Sequence, residues 1–167
     1  MNDHGVPAQP VDFRERMLAA QSFEHLFARG MELVEQTAAY LDGPGRDDSR
    51  HLSRNPMLIY ARESMRLTTR LMQIASWLLL QRTVNEREMT LAEAERQKGR
   101  IDLERAHVLP EEEARQLPER LRALIDSSNE LRERIVRLDA ALYGRALEVP
   151  NPVNDQIGRL RAAFEAS

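Results

Sequence analysis

The strongest constraint on the fold is an apolar repeat near the C-terminus that alternates between steps of three and four residues. It consists of Leu121, Leu124, Ser128, Leu131, Ile135, Leu138 and Leu142, of which only Ser128 is polar. An α-helix brings such positions onto one face, and this alternation is typical of a helix packed along its whole length. The repeat therefore predicts a helix over about 117–143 and an all-α fold.

Two more helices are predicted from the same periodicity. Between about 22 and 41, one face consists of Phe23, Leu26, Phe27, Gly30, Leu33, Val34, Thr37, Tyr40 and Leu41. Gly30 in this face would allow a neighbouring helix to approach closely. A turn-rich stretch follows over 43–56, and its last two residues, Asn55 and Pro56, are suited to the N-cap and first position of a helix. We expect the second helix to cover about 56–85.

The second helix carries two apolar stripes side by side. One consists of Tyr60, Ser64, Leu67, Leu71, Ile74 and Leu78, and the other of Leu58, Ala61, Met65, Thr68, Met72, Ala75 and Leu79. A helix packed against a single neighbour needs only one narrow stripe, so two stripes predict contacts on two sides or with another chain. We therefore expect a homodimer with Met65, Met72 and Trp77 near its interface.

Together these helices predict an antiparallel three-helix bundle over residues 21–144, with flexible segments at 1–20 and 145–167. A charged connector over 86–116 joins the second and third helices. Within it, Thr90 and Glu93 have the spacing of a capping box, which predicts a short helix from Leu91 to about Lys98. Gly144 is predicted to end the third helix.

Charge and composition weigh against nucleic acid, membrane and export. The formal net charge of −3 gives the chain no general attraction to phosphate-rich surfaces. The apolar run from Ile74 to Leu80 is much shorter than the roughly 20 residues that span a bilayer. The first residues, MNDHG, lack the basic start of a secretory signal, and there is no cysteine. We expect a cytoplasmic protein with no nucleic-acid partner and no membrane insertion.

No catalytic constellation is visible in the sequence. The four histidines, His4, His25, His51 and His107, fall in different segments without the spacing of a helical metal site. The acidic run at residues 111–113 lies in the charged connector, where no apolar surroundings would adjust its pKa values for acid–base work. We therefore expect no enzymatic activity, no cofactor and no metal.

Three arginines on the second helix are candidates for partner binding. Arg62, Arg66 and Arg70 are spaced by four residues, which stacks them along one ridge. Such a ridge could receive an acidic protein surface or a phosphate backbone. Such spacing is more often that of a solvated flank whose aliphatic stems cover apolar neighbours.

The C-terminal segment offers a second candidate surface. Val153, Ile157, Leu160 and Phe164 follow at helical spacing and predict one amphipathic element with a single apolar edge. This edge could dock on the chain's own bundle or fit a groove on another protein.

Three stretches carry a resemblance to a known family. They are IASWLLLQRTVNEREMTLAEAERQKGR at residues 74–100, the preceding NPMLIYARESMRLTTRLMQ, and the closing NPVNDQIGRLRAAF. These stretches resemble the alphaproteobacterial RcdA family, regulators of CtrA degradation, and the resemblance extends from about Ser22 to Phe164.

The resemblance implies a dimeric three-helix bundle that acts as a non-enzymatic adaptor of the ClpXP protease during the cell cycle. In that family the protease is primed by a response regulator of the CpdR type. The adaptor delivers some substrate proteins itself and recruits a cyclic-di-GMP effector protein that brings in CtrA, and it is concentrated at a cell pole. A nucleic-acid-binding bundle that regulates transcription is the alternative, and it rests only on the arginine ridge.

Overall fold

The computed structural model describes the backbone of residues 10–103 and 107–148, and the side chains of 19–103 and 107–144. All regular structure in these ranges is helical. The helices are α1 (Pro10–Asp42), α2 (Pro44–Arg50), α3 (Arg54–Asn85), α4 (Leu91–Lys98), α5 (Glu111–Ala114) and α6 (Glu119–Glu148). The predicted all-α class and the three long helices, α1, α3 and α6, are confirmed.

The helix boundaries differ from the sequence-based prediction in three places. The first helix begins at Pro10, before the apolar periodicity starts, and the predicted turn-rich connector contains α2, with Pro44 in its first turn. Ser53 is the N-cap of α3, which places Pro56 inside the first turn, where the helix does not need its N–H. The third helix continues through Gly144 to Glu148, because the following Arg, Ala and Leu are good helix formers.

The described residues fall into two compact units, one up to Arg132 and one from Glu133 onwards. In the first unit, α1 packs against α3, and the predicted close approach at Gly30 is confirmed. A Cβ atom added there would lie 2.4 Å from Leu78 Cδ1 on α3 and 3.8 Å from Leu131 Cδ2 on α6. The three long helices therefore meet around Gly30. The described part of the second unit is the remainder of α6.

The direction of α6 is a feature that the sequence pattern does not reveal. Arg70 on α3 donates a hydrogen bond to Ser128 on α6, and near the start of α3 Asn55 bonds to Gln116, just before α6 begins. The two helices therefore run in the same direction, whereas α1 is antiparallel to both. This arrangement requires the chain between α3 and α6 to return along the bundle.

The returning connector is ordered by local capping and by apolar anchors. The predicted capping box is confirmed: the backbone N–H of Glu93 donates to the Thr90 hydroxyl, and the Glu93 carboxylate accepts from the backbone of Thr90. Ala94, Leu103 and Leu117 are buried. The connector is therefore part of the packed structure, in contrast to the exposed loop that its charge suggests.

A polar corner closes the hairpin formed by α1 and α3. The Tyr40 hydroxyl donates to Asp48 Oδ2 at 2.8 Å, and the Tyr60 hydroxyl donates to the Gly45 carbonyl oxygen at 2.9 Å. Burial, followed by the hydrogen bond to Asp48, raises the pKa of Tyr40. Because a Cβ at Gly45 would lie 2.7 Å from the Tyr40 carbonyl oxygen and 2.6 Å from the Tyr60 hydroxyl, only glycine fits this corner without a shift.

We predict that Gly45→Ala lowers the free energy of unfolding by about 1–3 kcal/mol, because the added methyl group meets backbone as well as side chain. The matched control is Gly144→Ala. A Cβ at Gly144 has nothing within 4 Å, so this substitution inside a helix should stabilise the protein by roughly 0.5–1 kcal/mol. Urea unfolding followed by circular dichroism measures both effects. Equal stability of the two variants would contradict the steric role of the corner.

Candidate functional site

A buried carboxylate lies at the centre of the polar contacts on α3. Glu63 is only 1% exposed. Its Oε1 accepts hydrogen bonds from Arg62 Nε at 3.0 Å and from Arg66 Nη1 at 2.7 Å. A carboxylate removed from water requires such compensation, since an unpaired buried charge is strongly unfavourable. The two arginines therefore neutralise Glu63.

The same arginines extend these contacts to the returning connector. Arg62 also forms an ion pair with Glu113 on α5. Arg66 Nη1 also lies 2.6 Å from His107 Nε2, and in this contact the guanidinium can only donate. We call Glu63, Arg62, Arg66, Glu113 and His107 the Glu63 network. It joins α3 to both halves of the connector.

Arg70 is held differently from the other two arginines. Its Nη1 donates to the Ser128 hydroxyl at 2.7 Å, and Ser128 donates in turn to the Ile125 carbonyl oxygen at 2.7 Å. The polar member of the α6 repeat therefore has a specific role as a buried partner of Arg70. Burial, and then the positive charge of Arg132, lower the pKa of Arg70.

These residues line a half-open pocket of about 720 Å³ in the first unit. We call it the arginine pocket. Its lining consists of Arg62, Met65, Arg66, Thr69, Arg70, Gln73, Asp102, Leu103, His107 and Arg132. The connector is fastened on this side, because the backbone N–H of Asp102 donates to Gln73 Oε1 and Arg132 Nη1 donates to the Leu103 carbonyl oxygen. The pocket therefore combines α3, the connector and the first part of α6.

The structure changes the interpretation of the three arginines named from sequence. Arg62, Arg66 and Arg70 do lie on one side of α3 and share one pocket, as their spacing predicts. They do not form a free cationic ridge, because Arg62 and Arg66 are paired with Glu63 and Arg70 is turned to Ser128. A spacing of four residues does not reveal the carboxylates that pair with the arginines, nor that the connector folds over these arginines.

A different side of α3 is apolar and exposed. Leu58, Met65, Met72 and Leu79 are 63%, 73%, 65% and 52% exposed, and each lies seven residues after the one before. We call these four residues the methionine stripe. The first of the two predicted stripes is the buried one, with Leu67, Ile74 and Leu78 inside the core. The predicted second contact side of the helix is therefore exposed in the single chain.

Trp77 does not belong to this exposed side. It is 1% exposed and lies inside its own chain, so its side chain does not contribute to the exposed surface of α3. Its place near a dimer interface stays a prediction. Beside the methionine stripe, an apolar groove of about 190 Å³ runs between α1 and α3. Its lining consists of Val34, Thr37, Ala38, Leu41, Thr68, Leu71, Met72 and Ala75.

Three other predictions from the sequence concern the C-terminal apolar edge, metal binding and membrane insertion. Val153, Ile157, Leu160 and Phe164 lie outside the described residues, as do most of the two terminal segments. Within the described ranges, no group of three or more histidine and acidic side chains is arranged to hold a metal ion. In those same ranges, no helix has the length and apolar character to cross a membrane.

Glu63, His107 and Arg132 are among the residues of the site that sequence reasoning did not assign to it. A signal for Glu63 was present, because it lies four residues from both Ile59 and Leu67, in line with core positions. His107 and Arg132 gave no comparable signal. They reach the pocket only because the connector returns along α3.

The fold and its surfaces define a small all-α bundle with a polar pocket on one side of its central helix and an exposed apolar stripe on another. Residues 14–164 match the family model described as "Protein of unknown function (DUF1465)". The crystal structure of RcdA from Caulobacter crescentus CB15 is similar, with 50% sequence identity and a TM-score of 0.58, over 72% of this chain and 89% of that one. No curated protein matches the chain.

The chain belongs to this family, which includes RcdA. The resemblance inferred from the sequence is therefore confirmed. Neither the family model nor the matched structure names an enzyme.

We predict that Glu63→Gln lowers the free energy of unfolding by about 1–3 kcal/mol, because two guanidiniums lose the charge that neutralises them. The expected loss is smaller than for a fully buried pair, because Arg62 and Arg66 are partly exposed to water. The control is Glu32→Gln, which removes an exposed pair with Arg29 and should change stability by less than about 0.5 kcal/mol. Urea unfolding measures the free energy of unfolding of both variants. An equal loss of stability in the two variants would contradict a structural role for the Glu63 network.

Proposed function

We propose that the protein is a non-enzymatic adaptor that helps deliver cell-cycle regulators such as CtrA to the ClpXP protease. The proposal rests on membership of the family and on 50% identity to RcdA. Its partners would be a protease primed by a response regulator of the CpdR type, substrate proteins and a cyclic-di-GMP effector protein. It would work in the cytoplasm, with concentration at a cell pole, and without a cofactor.

The observation that carries an adaptor function is the methionine stripe. Large apolar side chains that remain exposed along one helix are typical of a surface that another protein covers. The four residues extend over about 32 Å of helix at 1.5 Å per residue. Methionine suits such a surface, because its flexible side chain adapts to different partners.

We further propose that a second copy of the chain covers the methionine stripe and makes a homodimer. Between the four residues lie Ala61, Thr68 and Ala75, which complete an alternation of three and four along the exposed side. This pattern is the one through which two long helices pack together. Met65 and Met72 would contribute exposed side chains to this interface, and Trp77 would lie near it without exposing its own side chain.

Partner binding by the arginines and by the C-terminal edge remains proposed. Arg62 is the most accessible arginine of the Glu63 network and is a candidate contact for an acidic partner surface, with Arg66 and Arg70 behind it. The edge of Val153, Ile157, Leu160 and Phe164 is a candidate docking element for the protease side or for cargo.

The nucleic-acid alternative has little support. An arginine that binds a phosphate group must give up its ion pairs within the chain. Arg62 is already paired with Glu63 and Glu113, and Arg66 is paired with Glu63. The net charge of −3 weakens general attraction further.

The homodimer predicts a definite change of mass. The double substitution Met65→Glu and Met72→Glu places two charges in the proposed interface, and buried like charges would face each other across it. We expect a dimeric mass for the wild-type protein at tens of micromolar and a monomeric mass for the variant, measured by light scattering. Helical content by circular dichroism should be unchanged, because both residues are exposed in the single chain.

The matched control for this experiment is Val108→Glu. Val108 is 83% exposed and lies on the connector, so it is not one of the four residues of the methionine stripe. It should leave the dimeric mass unchanged. A monomeric wild-type protein would refute the proposed dimer, and dissociation by Val108→Glu would place the interface elsewhere.

Deletion of residues 150–167 tests the adaptor function itself. Ordering about 12 residues costs about 1–2 kcal/mol each in backbone entropy, while four apolar side chains return about 1.5–3 kcal/mol each when buried. We therefore expect the thermal midpoint of the truncated protein to be almost unchanged. Reconstituted degradation of a CtrA-type substrate by ClpXP with a CpdR-type regulator should be slower with the truncation than with the full chain.

The two readouts of this deletion separate the alternatives. A much lower thermal midpoint would make the C-terminal segment part of the core. Normal stability with undiminished delivery of every substrate tested would show that the apolar edge is not a docking element. If the full chain accelerates degradation of no substrate, the adaptor function is wrong.

A further inference from the structure

The arginine pocket contains two guanidiniums that are not neutralised by a carboxylate within the described residues. Arg70 donates to the neutral hydroxyl of Ser128, and Arg132 donates to the neutral carbonyl of Leu103. Neither forms an ion pair among the residues that the structure describes. The Nε atom of Arg132 is buried and has no hydrogen-bond partner there.

These two cations also repel one another. The charge of Arg132 is, after burial itself, the largest influence that lowers the pKa of Arg70. Glu63 acts in the opposite direction on Arg70, but its carboxylate is already shared by Arg62 and Arg66. A protein seldom keeps two partly buried guanidiniums close together unless an anion joins them.

We propose that the arginine pocket binds a small organic anion that carries one phosphate or carboxylate group, held between Arg70 and Arg132. The inference stands independently of the adaptor function, because it rests on charges and contacts inside one chain. It adds a small-molecule site to a bundle whose other proposed contacts are all with proteins.

The charge of the pocket sets the charge of the ligand. Among the described residues, four arginines line the pocket, while Glu63 beneath them, Glu113 and Asp102 supply three negative charges, which leaves an excess of one positive charge before His107 is counted. A ligand with one or two negative charges balances this excess, whereas a strongly charged polyanion would be repelled by the carboxylates.

The shape of the pocket favours a small molecule over a flat protein surface. Its volume of about 720 Å³ lies within the range of ligand pockets, roughly 300–1,000 Å³. Met65 and Leu103 give apolar contact for an organic body. Gln73 uses its Oε1 to accept from Asp102 and keeps its amide NH₂ as a donor. A guanidinium group can donate two parallel hydrogen bonds to two oxygens of one phosphate or carboxylate group.

Inorganic phosphate is the first probe, with chloride at matched ionic strength as the reference. We expect phosphate to raise the thermal midpoint of the wild-type protein and to shift amide and guanidinium NMR signals of pocket residues. Arg132→Gln and Arg70→Gln should each weaken phosphate binding by roughly tenfold or more, because each removes a charged donor. Phenyl phosphate should bind more tightly than inorganic phosphate, since its ring reaches Met65 and Leu103.

Arg46→Gln is the matched control. Arg46 is exposed, pairs with Asp42 and lies far from the pocket in the chain, so its loss should leave phosphate binding unchanged. Arg132→Lys provides a variant that keeps the charge but loses the planar fork, and it should show intermediate affinity. Circular dichroism establishes that each variant is folded before binding is measured.

A second readout needs no ligand. Without phosphate, Arg70→Gln should be at least as stable as a variant that removes an attractive pair, such as Arg62→Gln, because it relieves repulsion from Arg132. Failure of phosphate to stabilise the wild-type protein beyond chloride would overturn the proposal. The proposal would also be overturned if phosphate stabilised the wild type and both pocket variants equally. It would be overturned as well if only an acidic side chain of a partner protein, and no small anion, bound in the pocket.

Discussion

The neutralisation of Glu63 is the interaction on which the rest of the site depends. A carboxylate that is 1% exposed can stay charged only beside cations, and its two partners come from the same helix. Those partners then bind Glu113 and His107, which hold the connector against α3. The path of the connector along α3 and one side of the arginine pocket depend on this arrangement.

The central helix α3 has three distinct sides, and each serves a different purpose. One side enters the core with Leu67, Ile74 and Leu78. A second carries the arginines and meets the connector, and a third carries the methionine stripe. These three sides can coexist on the 32 residues of α3 because its polar residues, like its apolar ones, recur at regular helical spacing. The arginine pocket and the methionine stripe thus lie on neighbouring sides of one helix, and Met65 belongs to both.

Periodicity predicted the all-α class, the three long helices, the close approach at Gly30 and the capping box, because each depends on residues near one another in the chain. It also predicted two apolar stripes on α3, of which one is buried and one exposed. It did not reveal α2, the direction of α6 or the burial of Trp77, because these depend on which segments meet. The site was predicted least well. A spacing of four placed Arg62, Arg66 and Arg70 together, and the position of Glu63 in line with core residues was readable, but Glu113, His107 and Arg132 come from contacts between distant segments.

The return of the connector has a consequence for synthesis on the ribosome. The hairpin of α1 and α3 can form while the chain is still emerging, but the surface that the connector covers stays open until residues near Glu113 have been released. The pairing of Glu63 does not depend on the connector, because Arg62 and Arg66 lie beside it on the same helix and can pair with it as soon as α3 forms. The charge thus meets its counterions before water is removed. Glu63 therefore need not be buried without its counterions while the chain is still growing.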